Sequence, residues 1–379
     1  MRIMIVAAIV LMATTAQAVA EDCEAPCMGT TVSLGLVEDW VFAARPSALE
    51  QNSLQPEIGI ESFLQPVDGL KFVSVTNIEQ VVDPEDGRSS TFENIGAYQS
   101  ELYAEIAFEP LTLKAGKFAP VFSLASDQGD GINASDLAGN VDMDESLGVE
   151  AALAFDGLGH AQVLTGSLFT VDRSFLAKSH FTKRDVPRLG DGGAGNTSGL
   201  SSVSLVLDGC LGADVGECHE DGDFGYRLGA RYQKHGVQTE EQADEDIAPK
   251  DELAFLAAAQ GNFDMGDAKL RLLGEAAFIE NIGSNPDNAM IATGMATYIV
   301  EDISATAALS RQVNFVEGAN TSATLAELSV LYAPESELGL PNSSWTVGAA
   351  YTYVVDEEDI KAHVLSVRLN LEFGGAHAF

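Results

Sequence analysis

Leu365-Ser366-Val367-Arg368-Leu369-Asn370-Leu371-Glu372-Phe373 alternates without a break between apolar and polar side chains. Successive strand residues point to opposite faces, so this segment has one apolar face and one charged face. Working back along the chain, the same split recurs. In Tyr226-Arg227-Leu228-Gly229-Ala230-Arg231-Tyr232 both arginines share the polar parity. In Leu102-Tyr103-Ala104-Glu105-Ile106-Ala107-Phe108 the polar parity carries Tyr103 and Glu105, with Glu101 just before. A soluble sheet also alternates. Here, however, such segments follow one another from about residue 30 to Phe379, with no amphipathic helix between them. Lipid outside and water inside explain that pattern, so the expected fold is all-β: a transmembrane antiparallel β-barrel.

Bulk properties agree. Met1-Arg2, an apolar run from Ile3 to Met12 and Ala16-Gln17-Ala18 read as a secretory signal peptide over residues 1–20. No stretch approaches the roughly eighteen apolar residues of a membrane helix. Hydrophobic residues make up 46% of the chain. With a mean hydropathy of only +0.08, this fits apolar residues at alternate positions. No linker or composition break divides the mature chain. The expected organisation is a short periplasmic segment over 21–31, then one barrel over 32–379.

The sequence has 20 basic and 57 acidic residues, and removal of Arg2 with the leader leaves 19 against 57, a net charge of −38. Nucleic acid is excluded as a partner, because phosphate binding needs a basic footprint. The negative potential favours cations. Cys23/Cys27 and Cys210/Cys218 form two local pairs, read as disulfides in a secreted chain rather than as metal ligands.

Strands are expected near 32–44, 54–64, 70–80, 97–108, 111–118, 147–156, 160–172, 200–207, 224–235, 252–263, 268–280, 289–300, 303–314, 323–333, 345–355 and 361–373. That is sixteen, with additional short strands in the long loops no surprise. Pro66-Val67-Asp68-Gly69, Glu109-Pro110, Asp156-Gly157-Leu158-Gly159 and Asp264-Met265-Gly266-Asp267 read as tight turns. Longer joints at 81–96, 119–146, 173–199, 236–251, 282–288 and 315–321 then all fall at one end, with 208–223 and 334–343 as long exceptions at the other. Short periplasmic turns and long external loops are the outer-membrane pattern. Tyr226, Tyr232, Trp345, Tyr351, Tyr353 and Phe373 share the apolar parity near strand ends, as interfacial aromatics do.

The chemistry concentrates in segment 119–146, the long loop after the fifth strand. It holds Asp127, Asp130, Asp136, Asp142, Asp144 and Glu145 and no basic residue. Folded into the barrel it would form an acidic pore constriction that favours cations. Lys114, Arg227, Arg231, Lys269 and Arg271 lie on the lumen parity nearby and would supply a facing basic wall. The plainer alternative is that these bases only neutralise some of the acids. Asp127-x-x-Asp130 and Asp142-x-Asp144-Glu145 also suggest Ca²⁺, although a complete calcium-loop template is absent. Loop 173–199 carries Arg173, Lys178, Lys183, Arg184 and Arg188. It suits anionic lipopolysaccharide, an acidic neighbour, the acidic loop beside it, or a negatively charged ferric complex. It also reads simply as a mobile surface loop. No hydrolase, zinc-protease, nucleotide-loop or dinucleotide motif occurs and the six histidines are scattered, so an enzyme is not expected.

Gly116-Lys117-Phe118-Ala119-Pro120-Val121-Phe122 resembles the GKF-x-P-x-F strand end of several Gram-negative porin families. After the acidic loop, Glu145-Ser146-Leu147-Gly148 resembles the E-x-x-G that opens their next strand. Residues 97–155 are similar to the LbtU-type siderophore porin family and, more distantly, to phosphate-selective porins. Gly116, Lys117, Pro120, Glu145 and Gly148 are the corresponding positions. The resemblance implies a sixteen-stranded channel of a Gram-negative outer membrane, taking up a ferric siderophore passively, since no plug domain precedes the first strand. The expected function is passive diffusion of small hydrophilic solutes with cation preference. A siderophore porin and a closed structural or adhesive barrel are the alternatives. Outer-membrane lipid, lipopolysaccharide and a homotrimer partner belong to the same expectation.

Overall fold

The computed structural model describes residues 23–143, 145–239, 242–243, 246–316, 318–334 and 342–378. The expected signal peptide, Asp144 and Phe379 lie outside the described residues. The barrel strands are β1 (Cys27–Arg45), β2 (Gln51–Val67), β3 (Leu70–Gln80), β4 (Ile95–Phe108), β5 (Leu111–Phe118), β6 (Ser146–Gly157), β7 (His160–Val171) and β8 (Ser202–Leu211). They continue as β9 (Phe224–Gln233), β10 (Glu252–Asp264), β11 (Ala268–Glu280), β12 (Asn288–Val300), β13 (Ile303–Val316), β14 (Ala319–Tyr332), β15 (Ser344–Val355) and β16 (Lys361–Ala378). Each pairs antiparallel with its chain neighbours, and β1 pairs with β16 as well as β2, closing the sheet. Closure removes the exposed edges, which lipid could not hydrate. No described helix is long and apolar enough to cross a membrane; the strands do so.

The sixteen strands correspond one for one to those expected. Two-residue ladders at Ser90–Thr91 and His180–Phe181 add the short extra strands, pairing with β2 and β4. The ends differ. β1 begins at Cys27, so residues 27–31 of the expected lead segment belong to the barrel, where Cys27 faces both Ala378 and Gln65. β16 continues through Gly374-Gly375, because a side chain at Gly374 would meet the Thr30 carbonyl at 2.6 Å and glycine lets the strands close up. β8 runs on to Leu211, where the Cys210–Cys218 disulfide clasps the turn that follows. Cys23–Cys27 is the second disulfide.

The joints sort as expected. Leu158-Gly159 joins β6 to β7 with positive φ at both residues (56° and 87°), the twist that suits a two-residue hairpin. The long joints lie at the opposite end. The one shortened is 315–321, where β13 and β14 run nearly to the turn.

The barrel is apolar outside. Leu228, Phe255, Phe278, Leu309, Leu328, Val330, Leu365, Val367 and Leu369 are exposed on its outer face, while Arg227, Arg231, Arg271, Glu275 and Glu327 are buried inside. In water so large an apolar surface would be a liability; against acyl chains it is the solvated face.

Candidate functional site: the infolded loop and the lumen

Segment 119–143 leaves β5 and crosses the lumen, and Glu145 leads into β6. The segment contains two short helical turns, α1 (Leu124–Gln128) and α2 (Asp136–Gly139). Phe122, Leu124, Ala125, Ala134, Ala138, Val141 and Met143 are buried in one apolar cluster with lumen-facing residues of the wall, including Leu256, Leu273, Ile279, Ile291 and Met295. The inner face of β10–β12 is therefore an apolar seat for the loop.

Charged wall residues grip it by its backbone. The Glu275 carboxylate accepts from Ser123 Oγ (2.7 Å), Leu124 N (2.6 Å) and Ala125 N (3.1 Å). It thereby receives N–H groups of the first turn, which no helical carbonyl can satisfy. Ser123 caps the same turn, its Oγ accepting from Ser126 N at 3.0 Å. Glu327 accepts from Ile132 N (2.8 Å) and Asn133 N (2.6 Å). Arg227 donates to the Ser123 carbonyl at 3.0 Å, and Arg231 to that of Val141 at 2.6 Å. Asn133 Nδ2 reaches Thr352 and Ser366, on β15 and β16.

The acidic residues of the loop have separate fates. Asp127 pairs with Arg227 at 2.5 Å, and Arg227 also holds Asp208 at 2.6 Å. Asp130 pairs with Arg271 at 3.0 Å, and His219 lies 3.7 Å away, brought up from the clasped turn after β8. Burial alone would raise the Asp130 carboxyl, but His219 and Arg271 outweigh it and hold Asp130 below the usual carboxylate range. Asp142 accepts from Ser123 N at 3.4 Å; burial, then the charge of Asp127, pushes its pKa up to about 7. Asp136 is raised well above its ordinary value by burial, then by Glu327 and Asp39. Glu145 receives both guanidinium nitrogens of Arg184, at 3.0 and 2.7 Å.

The basic residues divide likewise. Arg227, Arg231 and Arg271 meet the loop. Lys114 does not: its Nζ lies 3.2 Å from Glu150 of β6 and over the Tyr103 ring. Lys269 donates to the Glu220 carbonyl at the short-turn end of the barrel. Among the described residues no group of three His, Cys, Asp or Glu side chains converges as a metal site would require.

The residues of the family-like motif build the base of the loop. Gly116 has φ 143°, and a Cβ there would lie 2.3 Å from the Leu102 carbonyl oxygen. At Gly148 a Cβ would press on Leu168 O and Phe169. Pro120 and Lys117 are fully buried, with Lys117 Nζ 2.6 Å from Glu145 and 2.9 Å from Asp172. Arg184, from the basic loop between β7 and β8, joins this cluster and stacks 3.8 Å from the Tyr98 ring centroid. That loop thus touches the acidic loop beside it.

Sequence reading did not single out Glu275, Glu327 or Asn133. The available signal was the apolar lumen parity of Leu273, Ala277 and Ile279. A wall apolar on both faces needs a dry partner inside.

The loop covers only part of the wall. Inner-face residues of β10–β14, such as Ala258, Glu275, Thr293, Ser310 and Glu327, are buried. On β1, β2, β4 and β16 the inner-face residues Ser33, Glu57, Glu61, Glu101, Glu105 and Asn370 keep partial exposure to the lumen, whereas Val37, Phe63, Tyr98 and Ser366 of the same strands and Val73, Val75 and Asn77 of β3 are buried. Glu57 there pairs with Arg368 at 3.0 Å. Glu61, Glu101 and Glu105 have no ion pair within 4.0 Å among the described residues.

This is the fold of the outer-membrane porins. The barrel superposes on OprB of Pseudomonas putida with a TM-score of 0.59, at 10% identity over 92% of this chain and 94% of that one. For the outer-membrane channel DcaP of Acinetobacter baumannii the TM-score is 0.55, at 10% identity over 92% and 98%. For a BenF-like porin from Pseudomonas fluorescens Pf-5 it is 0.52, at 9% identity over 93% and 99%. No family model matches the sequence, and no curated protein matches it either; the likeness is one of fold.

Proposed function

We propose that this chain is an outer-membrane porin through which small hydrophilic solutes diffuse passively, cations in preference to anions. The long-loop end faces outward, and the path runs past the partly exposed inner-face residues Ser33, Glu57, Glu61, Glu101, Glu105 and Asn370. The carrying observation is the difference between paired, buried wall charges under the loop and the partly exposed, unpaired carboxylates Glu61, Glu101 and Glu105 on β2 and β4. On the covered half, arginines neutralise Asp127 and Asp130. On the open half, Glu61, Glu101 and Glu105 outnumber their basic neighbours Lys71 and Lys114. Unneutralised carboxylates along a narrow aqueous path raise the local cation concentration.

Reversal potential in a planar bilayer under a KCl gradient tests this. The native barrel should be cation-selective. Replacing Glu61, Glu101 and Glu105 together by Gln should remove most of that selectivity, whereas Asp127→Asn should change it little. Properly folded protein with no conductance would exclude the open pore and favour a closed barrel. Arg184, which enters the lumen from the basic loop, is taken up by Glu145; a ferric siderophore remains the alternative solute.

A further inference from the structure

Most turns at the short-turn end of the barrel are tight, but the one between β8 and β9 spans residues 212–223. Its course starts from one parity. Cys210 lies on the same inner-facing parity of β8 as Asp208, which holds Arg227. A disulfide made by an inner-face cysteine draws the turn into the barrel mouth rather than away from it. Cys210, Gly225 and Gln260 stand in one row across β8, β9 and β10. Gly225 leaves room for the bridge, because a Cβ there would lie 2.8 Å from Cys218 Sγ. The Cys210–Cys218 bridge therefore lies over β9, with both cysteines buried. The next residue, His219, arrives over the inner faces of β10 and β11.

The wall fixes the turn there by its backbone. Asn262 Nδ2 of β10 donates to the carbonyls of His219 (3.1 Å) and Gly222 (2.8 Å), and Lys269 Nζ of β11 donates to that of Glu220 at 2.7 Å. The His219 ring then touches two wall residues, and each of these holds a residue of the infolded loop. His219 Nδ1 lies 3.1 Å from Gln260 Oε1, and Gln260 Nε2 donates to Gln128 Oε1 at 3.0 Å. Arg271 Nη1 donates to His219 Nε2 at 2.7 Å and to Asp130 at 3.0 Å, while its Nε donates to Asn262 Oδ1 at 3.2 Å. The loop stretch they hold includes Gly129 and Gly131, so it has little stiffness of its own. Its position depends on Gln260 and Arg271, and theirs on the ring between them.

We propose that His219 is a positioning residue of the pore: the disulfide-clasped turn is a latch that, through Gln260 and Arg271, holds the Gln128–Gly131 stretch of the infolded loop against the wall from the periplasmic end. The inference rests on the porin reading and the outward orientation adopted above, and it names what sets the width of the path on that side. Glu275, Arg227 and Glu327 hold the loop at Ser123–Ala125 and Ile132–Asn133. The latch holds the stretch between them, from an element that belongs to the opposite end of the barrel.

The test compares the wild-type barrel with His219→Ala, His219→Gln and His160→Ala, each folded in detergent and checked for the heat-sensitive gel mobility of a closed barrel. Hydrogen exchange read by mass spectrometry reports on the loop, and planar bilayers report the current. In His219→Ala the amides of Gly129, Asp130 and Gly131 should exchange about tenfold faster, the factor that follows from losing one or two net hydrogen bonds. Leu124 and Ala125, held by Glu275, should stay protected, and the open-channel current should rise and grow noisier. His219→Gln keeps an acceptor for Arg271 and should restore most of both readouts. His160→Ala removes a histidine of the same end that is bonded to Tyr226 and Gln162, and should change neither. A folded Cys210→Ser/Cys218→Ser variant should behave as His219→Ala does; if it does not fold, His219→Ala decides alone. Unchanged protection of Gly129 to Gly131 in His219→Ala would overturn the proposal. So would exchange that quickens equally across β10 and β11, which would mark a weakened barrel rather than a released loop. A barrel silent in every bilayer, with the exchange pattern as expected, fails the porin reading and leaves the latch standing.

Discussion

Glu275→Ala should undock the first turn of the infolded loop while leaving the barrel closed. The carboxylate receives three hydrogen bonds from the loop, at 2.7, 2.6 and 3.1 Å. Each bond to a charged acceptor contributes about 1.5–3 kcal/mol net, and a buried N–H left without a partner costs about 1–3 kcal/mol. Ser123 Oγ still caps Ser126, and the lumen beyond the loop supplies water, so the lower end applies: about 3 kcal/mol. At 1.4 kcal/mol per factor of ten, the docked-to-undocked ratio of α1 falls by about a hundredfold. Hydrogen exchange read by mass spectrometry on the 119–143 segment is the assay. Leu124 and Ala125 amides should exchange about a hundred times faster in the variant, with β10–β14 amides unchanged. Glu275→Gln keeps one acceptor oxygen and should show a smaller acceleration. Glu105→Gln removes a lumen carboxylate that holds no backbone and should show none. Undiminished protection in Glu275→Ala would refute the claim that this carboxylate anchors the loop.

Three further outcomes follow from the same contacts. The Asp142 carboxyl has a pKa raised to about 7 by burial and Asp127, so between about pH 4 and 7 the docked loop binds more protons than the free one and docking weakens as pH rises through that window; loop protection, taken relative to the intrinsic exchange rate at each pH, should fall from pH 5 to 8 in the wild type and fall less in Asp142→Asn, where Asp136 remains. Arg184→Ala leaves Glu145 with Lys117 alone and removes the stacking on Tyr98; losing the hydrogen bonds of a partly buried charged pair costs about 1.5–3 kcal/mol, so limited proteolysis should cut the 172–201 loop at least tenfold faster. Cys210→Ser/Cys218→Ser opens a link between residues 8 apart and should lower barrel stability by about 2–3 kcal/mol, seen as an earlier midpoint in urea.

Legibility in the sequence followed the range of the interaction. Residue alternation, turn residues and loop lengths are local, and they were enough for the strands. Boundaries slipped where two partners decided them: Cys27 to Thr31 show weak alternation yet pair on both sides, and Gly374-Gly375 reads as a break until Thr30 lies opposite. The loop was legible as acidic and lumenal by position. Which carboxylate meets which base was not, because Asp127 and Arg227 are a hundred residues apart, and their meeting depends on the register of β6 to β9 and on where the loop folds back across the lumen. Lys114 and Arg227 carry the same charge on the same parity, yet one faces Glu150 of β6 and the other the loop.

The sequence by itself determined that the chain is a lipid-facing barrel of sixteen strands with its long joints at one end, because alternation and turn chemistry are written residue by residue. Only the tertiary structure decided which half of the lumen is filled. That outcome depends on where the apolar side of segment 122–143 finds the matching seat on β10–β12, and on Glu275 and Glu327 meeting backbone N–H groups that carry no sequence signature of their own.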